Sequence, residues 1–342
     1  MTPAELSRTV LRSVRGAVEE QELSVPVPAR IVVQPPPRPG CGDYASNVAL
    51  QLAKPAGRPA REVAEILRKR LAGSAGIARV EIAGPGFLNF TLGEGAQAAL
   101  VREVLAQGER YGDRSAEGGP AAVGTATGHG AREVVVAEAL ARIEAAAGRR
   151  PQGPAARGDA DARPAACEEL AALVGRLGSD EARWVLLRPA AHDPVRVPER
   201  VVQRESNPRF RVQYAHARTR ALVRGARELG FTGEPGEVGS PVAVTVADGP
   251  ADHCLQSLYT LLATYPSAVE TAARLRAPDR VVRHLEATAD AFFRWHDAFV
   301  PLPVGDEKPS AVHRARLALA EAGGTVLANG LRLLGISAPE HL

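Results

Sequence analysis

The sequence predicts an α+β N-terminal domain, an α-rich central segment and an all-α C-terminal bundle. Three observations carry this. Residues 79–83 and 87–92 flank Gly84-Pro85-Gly86, a strand-turn-strand signal set among amphipathic helices. Residues 148–166 are a low-complexity Gly/Ala/Arg/Pro stretch, the best linker candidate in the chain. From Asn207 onward the apolar pattern is helical almost throughout.

Taken in order, residues 2–20 read as an amphipathic helix, with Leu6, Val10, Val14 and Val18 recurring every four residues. Residues 31–34 are a short strand candidate that Pro35-Pro36-Pro37 stops. A turn at 40–44 precedes two short helices at 45–52 and 59–71. The second carries Val63, Ile66, Leu67 and Leu71 on one face. A helix at 96–108 completes a first domain of residues 1–113. The middle, 114–200, differs: 115–130 is rich in Gly and Ala, 132–147 is helical, and after the linker come helices at 168–177 and 180–187, split by Gly178. In the last domain, 201–342, Asn207-Pro208 reads as an N-cap with Pro at the first helical position. That helix runs to Glu228 and stops at Gly230. A loop at 234–250 is followed by helices at 254–264, 267–273, 280–299 and 310–334.

Composition narrows the function classes. With 342 residues, 45% hydrophobic and 24% charged, the chain is not disordered over most of its length. No run of about 18 apolar residues exists, so no membrane span is expected. Cys41, Cys167 and Cys254 lie far apart, which argues against a zinc site or a disulfide framework and fits a reducing cytoplasm. The net charge of +3 is mild for a nucleic-acid binder, so any such site must be local.

Local candidates exist. Tyr214 and Arg218 are four apart and share a helix face, with Arg211 close by. Residues 204–227 hold seven arginines against one acid, Glu205. An aromatic ring beside a guanidinium offers a splayed RNA base a stacking face and a fork for its edge or phosphate. The same pattern also fits a solvated arginine-rich helix with Tyr214 in the core. Phe87 and Asn89, two apart on a strand, point to one side as an aromatic and an amide, or Phe87 is simply core. His129, between Gly128 and Gly130 at a helix start, either faces a phosphate or is a loop residue. No phosphate-loop signature, metal-ligand cluster or nucleophile–base pair is present in the sequence.

Several runs carry a resemblance. Gly42-Asp-Tyr-Ala-Ser-Asn-Val-Ala-Leu50 and Gly84-Pro-Gly-Phe-Leu-Asn-Phe90 resemble the N-terminal additional domain of the arginyl-tRNA synthetase family. That domain contacts the tRNA D-loop, which implies this role for Phe87 and Asn89. Gly178-Ser-Asp-Glu-Ala-Arg-Trp184 resembles the segment leaving that family's catalytic domain. Val212-Gln-Tyr-Ala-His-Ala-Arg218 and the run from Leu327 to Glu340 resemble its DALR-type anticodon-binding domain. The resemblance implies that Tyr214, Arg211 and Arg218 meet the anticodon loop, with Asn329 and the C-terminal residues Glu340 to Leu342 closing the site. His296-Asp297 stands where the family often has Tyr-Asp, and Val300 and Leu342 stand where an aromatic and a Met are common.

The departures shape the expected function. The family's class I site needs a His-x-Gly-His motif opening a Rossmann fold and a Lys-Met-Ser-Lys-like loop, both serving ATP. Counted back from Ala139-Leu-Ala-Arg142, the first motif falls on Thr127, Gly128, His129 and Gly130. Met1 is the sole methionine, so the second has no counterpart. The expectation is a vestigial remnant of a Rossmann catalytic domain at 114–200, no cofactor, no metal and no catalytic residue. The chain is then a tRNA-binding pseudo-synthetase of the cytoplasm, its tRNA one that accepts arginine, its partner an enzyme that uses aminoacyl-tRNA. The alternatives are a working arginine–tRNA ligase using ATP and Mg, and a protein-interaction module that no longer binds RNA.

Overall fold

A computed structural model describes residues 3–34, 36, 41–93, 95–114, 130–149, 162–241, 245–246 and 249–342. The chain forms two compact units, 1–100 and 101–342.

The first unit is α+β. Helix α1 (Pro3–Glu19) buries Leu6, Val10, Val14 and Ala17 completely. Helix α2 (Val48–Ala56) ends at Gly57, and α3 (Ala60–Leu71) buries Val63, Ala64, Leu67 and Leu71. Helices α1 and α2 pack on α3, which packs on the sheet. The sheet is antiparallel, order β1-β3-β2, from β1 (Tyr44–Ser46), β2 (Ile77–Ala83) and β3 (Phe87–Leu92). The expected hairpin is therefore present, with Ala83 opposite Phe87.

Two local expectations are corrected. Residues 45–46 belong to β1 rather than to a helix, because their backbone pairs with Asn89 and Leu88. Residues 31–34 contribute only an isolated bridge from Gln34 to Ala45. The run beginning at Gly42 is built for that pairing. Gly42 has φ +89, and a Cβ there would lie 2.7 Å from the Phe90 carbonyl oxygen. Asp43 accepts the Leu92 N–H at 2.7 Å, and the Ser46 hydroxyl donates to the Val32 carbonyl at 2.8 Å.

Helix α4 (Ala96–Gln107) leads into the second unit. There, between residues 114 and 200, the described elements are α5 (Ala131–Ala146), α6 (Ala162–Leu177) and α7 (Ser179–Leu187). Among the described residues of that stretch there is no strand. Most of the Gly/Ala-rich 115–130 run and of the 148–166 linker lies outside the described residues. The rest is α8 (Pro208–Glu228), a short ladder of β4 (Thr245–Val246) and β5 (Gly249–Pro250), α9 (Ala251–Leu275), α10 (Asp279–Ala298) and α11 (Ala311–Leu334). Helix α11 packs on α8 and α10, α10 on α9, and α5 on α9 and α11.

The expected pair of helices at 254–264 and 267–273 is one helix, α9, with Pro266 inside it. Proline has no N–H for the carbonyl four residues back. That carbonyl belongs to Leu262, and the Tyr111 hydroxyl donates to it at 2.9 Å. The freed acceptor is thus satisfied from another part of the chain and the helix continues.

Candidate nucleic-acid interface

Helix α8 sets the geometry. The Asn207 side chain accepts the N–H groups of Arg209 and Phe210 at 3.0 and 3.3 Å, and Pro208 takes the first helical position. Asn207 Nδ2 and Arg209 Nε both donate to Glu181 Oε2, at 2.9 and 2.5 Å. This buried ion pair ties the start of α8 to α7. Gln213 donates to Asp180 at 2.8 Å and to the Ser337 carbonyl at 2.9 Å. Burial works to raise the Asp180 carboxyl, but hydrogen bonds from Ser337 and Gln213 and the field of Arg209 hold it below its usual range.

With α8 fixed, Phe210, Tyr214 and Arg218 fall on one stripe at intervals of four. The Tyr214 ring stacks with Phe210 at 5.9 Å between centroids and with Phe293 of α10 at 5.4 Å. All three rings are half-buried. Arg211 lays its guanidinium 4.9 Å from the Phe293 centroid while Nε donates to Asp290 at 2.6 Å. Arg218 is exposed. His296 is half-buried against Phe292, and its pKa is lowered by burial and then by the field of Arg218. Four of the expected residues, Tyr214, Arg211, Arg218 and His296, thus belong to this α8/α10 face. Phe210 and Phe293 join them without having been singled out. Phe210 was within reach, since it precedes Tyr214 by one turn. Phe293 comes from another helix and had no local signal.

The other expected residues lie elsewhere. Asn329, expected to close the site, is corrected. It is 2% exposed, and its Nδ2 donates to the carbonyls of Gly108 and Tyr111 at 2.9 and 3.2 Å. Its amide holds a turn of the helical core. The C-terminal residues run along His216, Arg220 and Arg224, with Glu340 2.8 Å from Arg220. His216 and Arg220 are each two positions from a member of the Phe210–Tyr214–Arg218 stripe, roughly 200° around the helix, so the tail lies on nearly the opposite side and does not cover the stripe. Phe87 and Asn89 belong to the first unit. Phe87 is 38% exposed at the start of β3, whereas Asn89 is 8% exposed in the central strand.

The start of α5 is closed. Glu169 of α6 accepts the Ala131 N–H at 2.8 Å. Arg132 donates to the carbonyls of Leu186, Pro189, Ala190 and Asp193. Gly130 is the N-cap, while Thr127, Gly128 and His129 lie outside the described residues. Among the described residues no cluster of three or more His, Cys, Asp or Glu is placed to hold a metal, and no helix is long and apolar enough to cross a membrane.

Two families match this chain in succession. Residues 8–92 match the arginyl tRNA synthetase N terminal domain, and residues 212–342 match the DALR anticodon binding domain. A curated arginine–tRNA ligase of Renibacterium salmoninarum aligns end to end, 28% identical over 558 positions and covering 100% of both chains. The chain belongs to the arginyl-tRNA synthetase family. Being 342 residues long, this family member fills 558 positions only with large gaps. The arginine–tRNA ligase of Pseudarthrobacter chlorophenolicus is 43% identical over 177 residues, 51% of this chain and 31% of that one. The Frankia alni enzyme is 53% identical over 112 residues, 33% of this chain and 20% of its own. The matched segments thus span less than a third of these two relatives. Thermus thermophilus arginyl-tRNA synthetase shares the fold at a TM-score of 0.58 and 16% identity, covering 100% of both chains. The helical DALR domain and the mixed α/β N-terminal region are those the sequence predicts.

Proposed function

We propose that this member of the family binds tRNA and does not charge it with arginine. The observation that carries the RNA-binding part is the α8/α10 face, where Phe210, Tyr214 and Phe293 stack and Arg211 and Arg218 stand beside them. Half-buried rings give an unstacked base an apolar face, and the exposed Arg218 supplies charge for its phosphates, while Arg211, paired with Asp290 and Glu205, holds the Phe293 ring in place.

The second part is supported by the start of α5. A triphosphate at a helix N-terminus uses free backbone N–H groups and the positive end of the dipole. Here the Glu169 carboxylate takes the first N–H, and Arg132 is committed to four carbonyls. An ATP phosphate would meet a negative charge instead of a donor. On this reading residues 114–200 are the remnant of a class I catalytic domain, between an N-terminal domain of 1–113 and an anticodon-binding domain of 201–342. The protein holds or delivers tRNA for an enzyme that uses aminoacyl-tRNA.

Purified protein, free of host synthetase, is tested for arginine-dependent ATP–pyrophosphate exchange and for tRNA retention on filters. Retention without exchange is expected. Exchange or charging overturns the second part, and absence of retention at 50 mM salt overturns the first.

A further inference from the structure

We propose that residues 194–198 take up an extended acidic segment of a partner protein as an added antiparallel strand, with its carboxylates seated in the groove beside α7. This goes beyond the tRNA-binding reading and does not depend on it.

An open groove of about 1010 Å³ lies among α7, the chain from 188 to 207 and α10. Between 194 and 202, Pro194, Arg196, Pro198, Arg200 and Val202 line it, whereas Val195, Val197, Glu199 and Val201 do not. Every second residue faces the groove, which is the period of an extended strand. The run bends at Glu199 and Arg200, so its straight part is 194–198. Among the described residues no hydrogen bond engages the backbone from 194 to 203. Successive residues of a strand send their N–H and C=O groups to opposite edges. Both prolines are even-numbered, so the edge formed by Val195 and Val197 keeps every N–H. Val197 is 39% exposed, which leaves that edge open for pairing. The run also starts from a fixed base, because Arg132 holds the carbonyls of Leu186, Pro189, Ala190 and Asp193.

The chemistry of the groove selects the strand. Arg188 is paired with Glu286 at 2.7 Å, Arg283 with Asp279, and Glu181 with Arg209. Asp193 stands beside His192 at 3.5 Å. Arg196 and Arg200 are exposed, and no described hydrogen bond or ion pair engages them. Trp184 also lines the groove. It is 2% exposed, and its indole N–H has no acceptor among the described residues. A buried donor without a partner costs free energy that an incoming oxygen recovers. A carboxylate meets both needs, since it pairs with a guanidinium and accepts from an indole. A strand paired with Val195 and Val197 puts every second side chain on the groove face, beside Arg196.

The probe is a fluorescein-labelled peptide of four Thr-Glu repeats, added to the full chain at 50 mM salt and followed by anisotropy. It is expected to bind, and a Thr-Lys peptide of the same length is not. Arg196→Gln with Arg200→Gln weakens binding about 2- to 30-fold, as expected for two exposed ion pairs. Arg196→Glu with Arg200→Glu transfers binding to the Thr-Lys peptide, which a misfolded variant would not do. Methylating the threonine nitrogens keeps the charge, removes the N–H groups that face Val195 and Val197, and abolishes binding. The chain has two tryptophans. In ¹H–¹⁵N spectra the indole signal of Trp184, assigned with Trp184→Phe, moves on binding, and that of Trp295, buried in the core, does not. No binding of the Thr-Glu peptide overturns the proposal. Binding that survives methylation overturns it too, as charge attraction alone. Displacement of the peptide by tRNA, with loss of tRNA affinity in the neutral double variant, assigns the groove to RNA and likewise overturns it.

Discussion

Replacing Tyr214 with Ala tests the α8/α10 face most directly. The ring lies next to Phe210 and Phe293 at 5.9 and 5.4 Å, so its loss has two consequences. Two aromatic pairs disappear, each worth about 0.5–1.5 kcal/mol, so the fold loses about 1–3 kcal/mol. A base that stacks on this ladder loses about 1–3 kcal/mol as well, which is about 5- to 150-fold in Kd. The first effect changes melting and the second changes binding, so they separate when measured below the melting transition. Filter binding at fixed salt, run beside a thermal melt, reads both. Tyr214→Phe keeps the stack and is expected to bind within about twofold of wild type. A Tyr214→Ala protein that is folded at the assay temperature and binds tRNA like wild type would refute the reasoning. The ring would then be a packing element alone.

Other outcomes follow from individual contacts. Asn329→Ala strands the carbonyls of Gly108 and Tyr111 and lowers stability by about 1–3 kcal/mol in denaturant melts, while tRNA affinity of the folded protein stays at wild type. Tyr111→Phe leaves the Leu262 carbonyl without its donor and destabilises by a similar about 1–3 kcal/mol. Adding Pro266→Ala restores the helical donor, so a double-mutant cycle should show strong coupling, and additive effects would contradict the assignment. His284 is half-buried, its Nε2 faces the Leu261 carbonyl, and desolvation pushes its pKa down to about 4. The unfolded chain then binds the extra proton first. Stability is full above the unfolded pKa of about 6.5 and falls by up to about 1.4 kcal/mol per pH unit on acidification toward 4. Urea melts of His284→Gln should lack that part of the slope.

The sequence made the helical parts legible where one face is apolar. Leu6, Val10 and Val14 in α1, and Val63, Leu67 and Leu71 in α3, are buried as their spacing requires. The Asn207-Pro208 start of α8 was readable because a cap is chemistry local to a few residues. Strand β1 was not readable: three residues, Tyr44 to Ser46, are extended only because β3 lies beside them. The site divides the same way. Tyr214 and Arg218 share a face by helical arithmetic, whereas Phe293 reaches the same face from a helix far along the chain. Asn329 was misplaced because resemblance conveys a role without saying which way a side chain points. Its amide faces carbonyls of the 108–111 turn, which no spacing rule on α11 could reveal. The carboxylate that closes the start of α5 was hidden for a similar reason, since Glu169 lies across the linker on α6.

The proline in α9 makes that helix dependent on the rest of the fold. Cut out as a peptide, residues 251–275 would have no Tyr111 to receive the Leu262 carbonyl, and the chain would break around Pro266. The two pieces left, at 251–265 and 267–275, are short for helices in water, where roughly 12–15 residues are marginal even for the best formers. The broken reading of this stretch as two short helices therefore describes the isolated segment, and the continuous 25-residue rod describes the folded one. The longest helix among the described residues is continuous by tertiary consent.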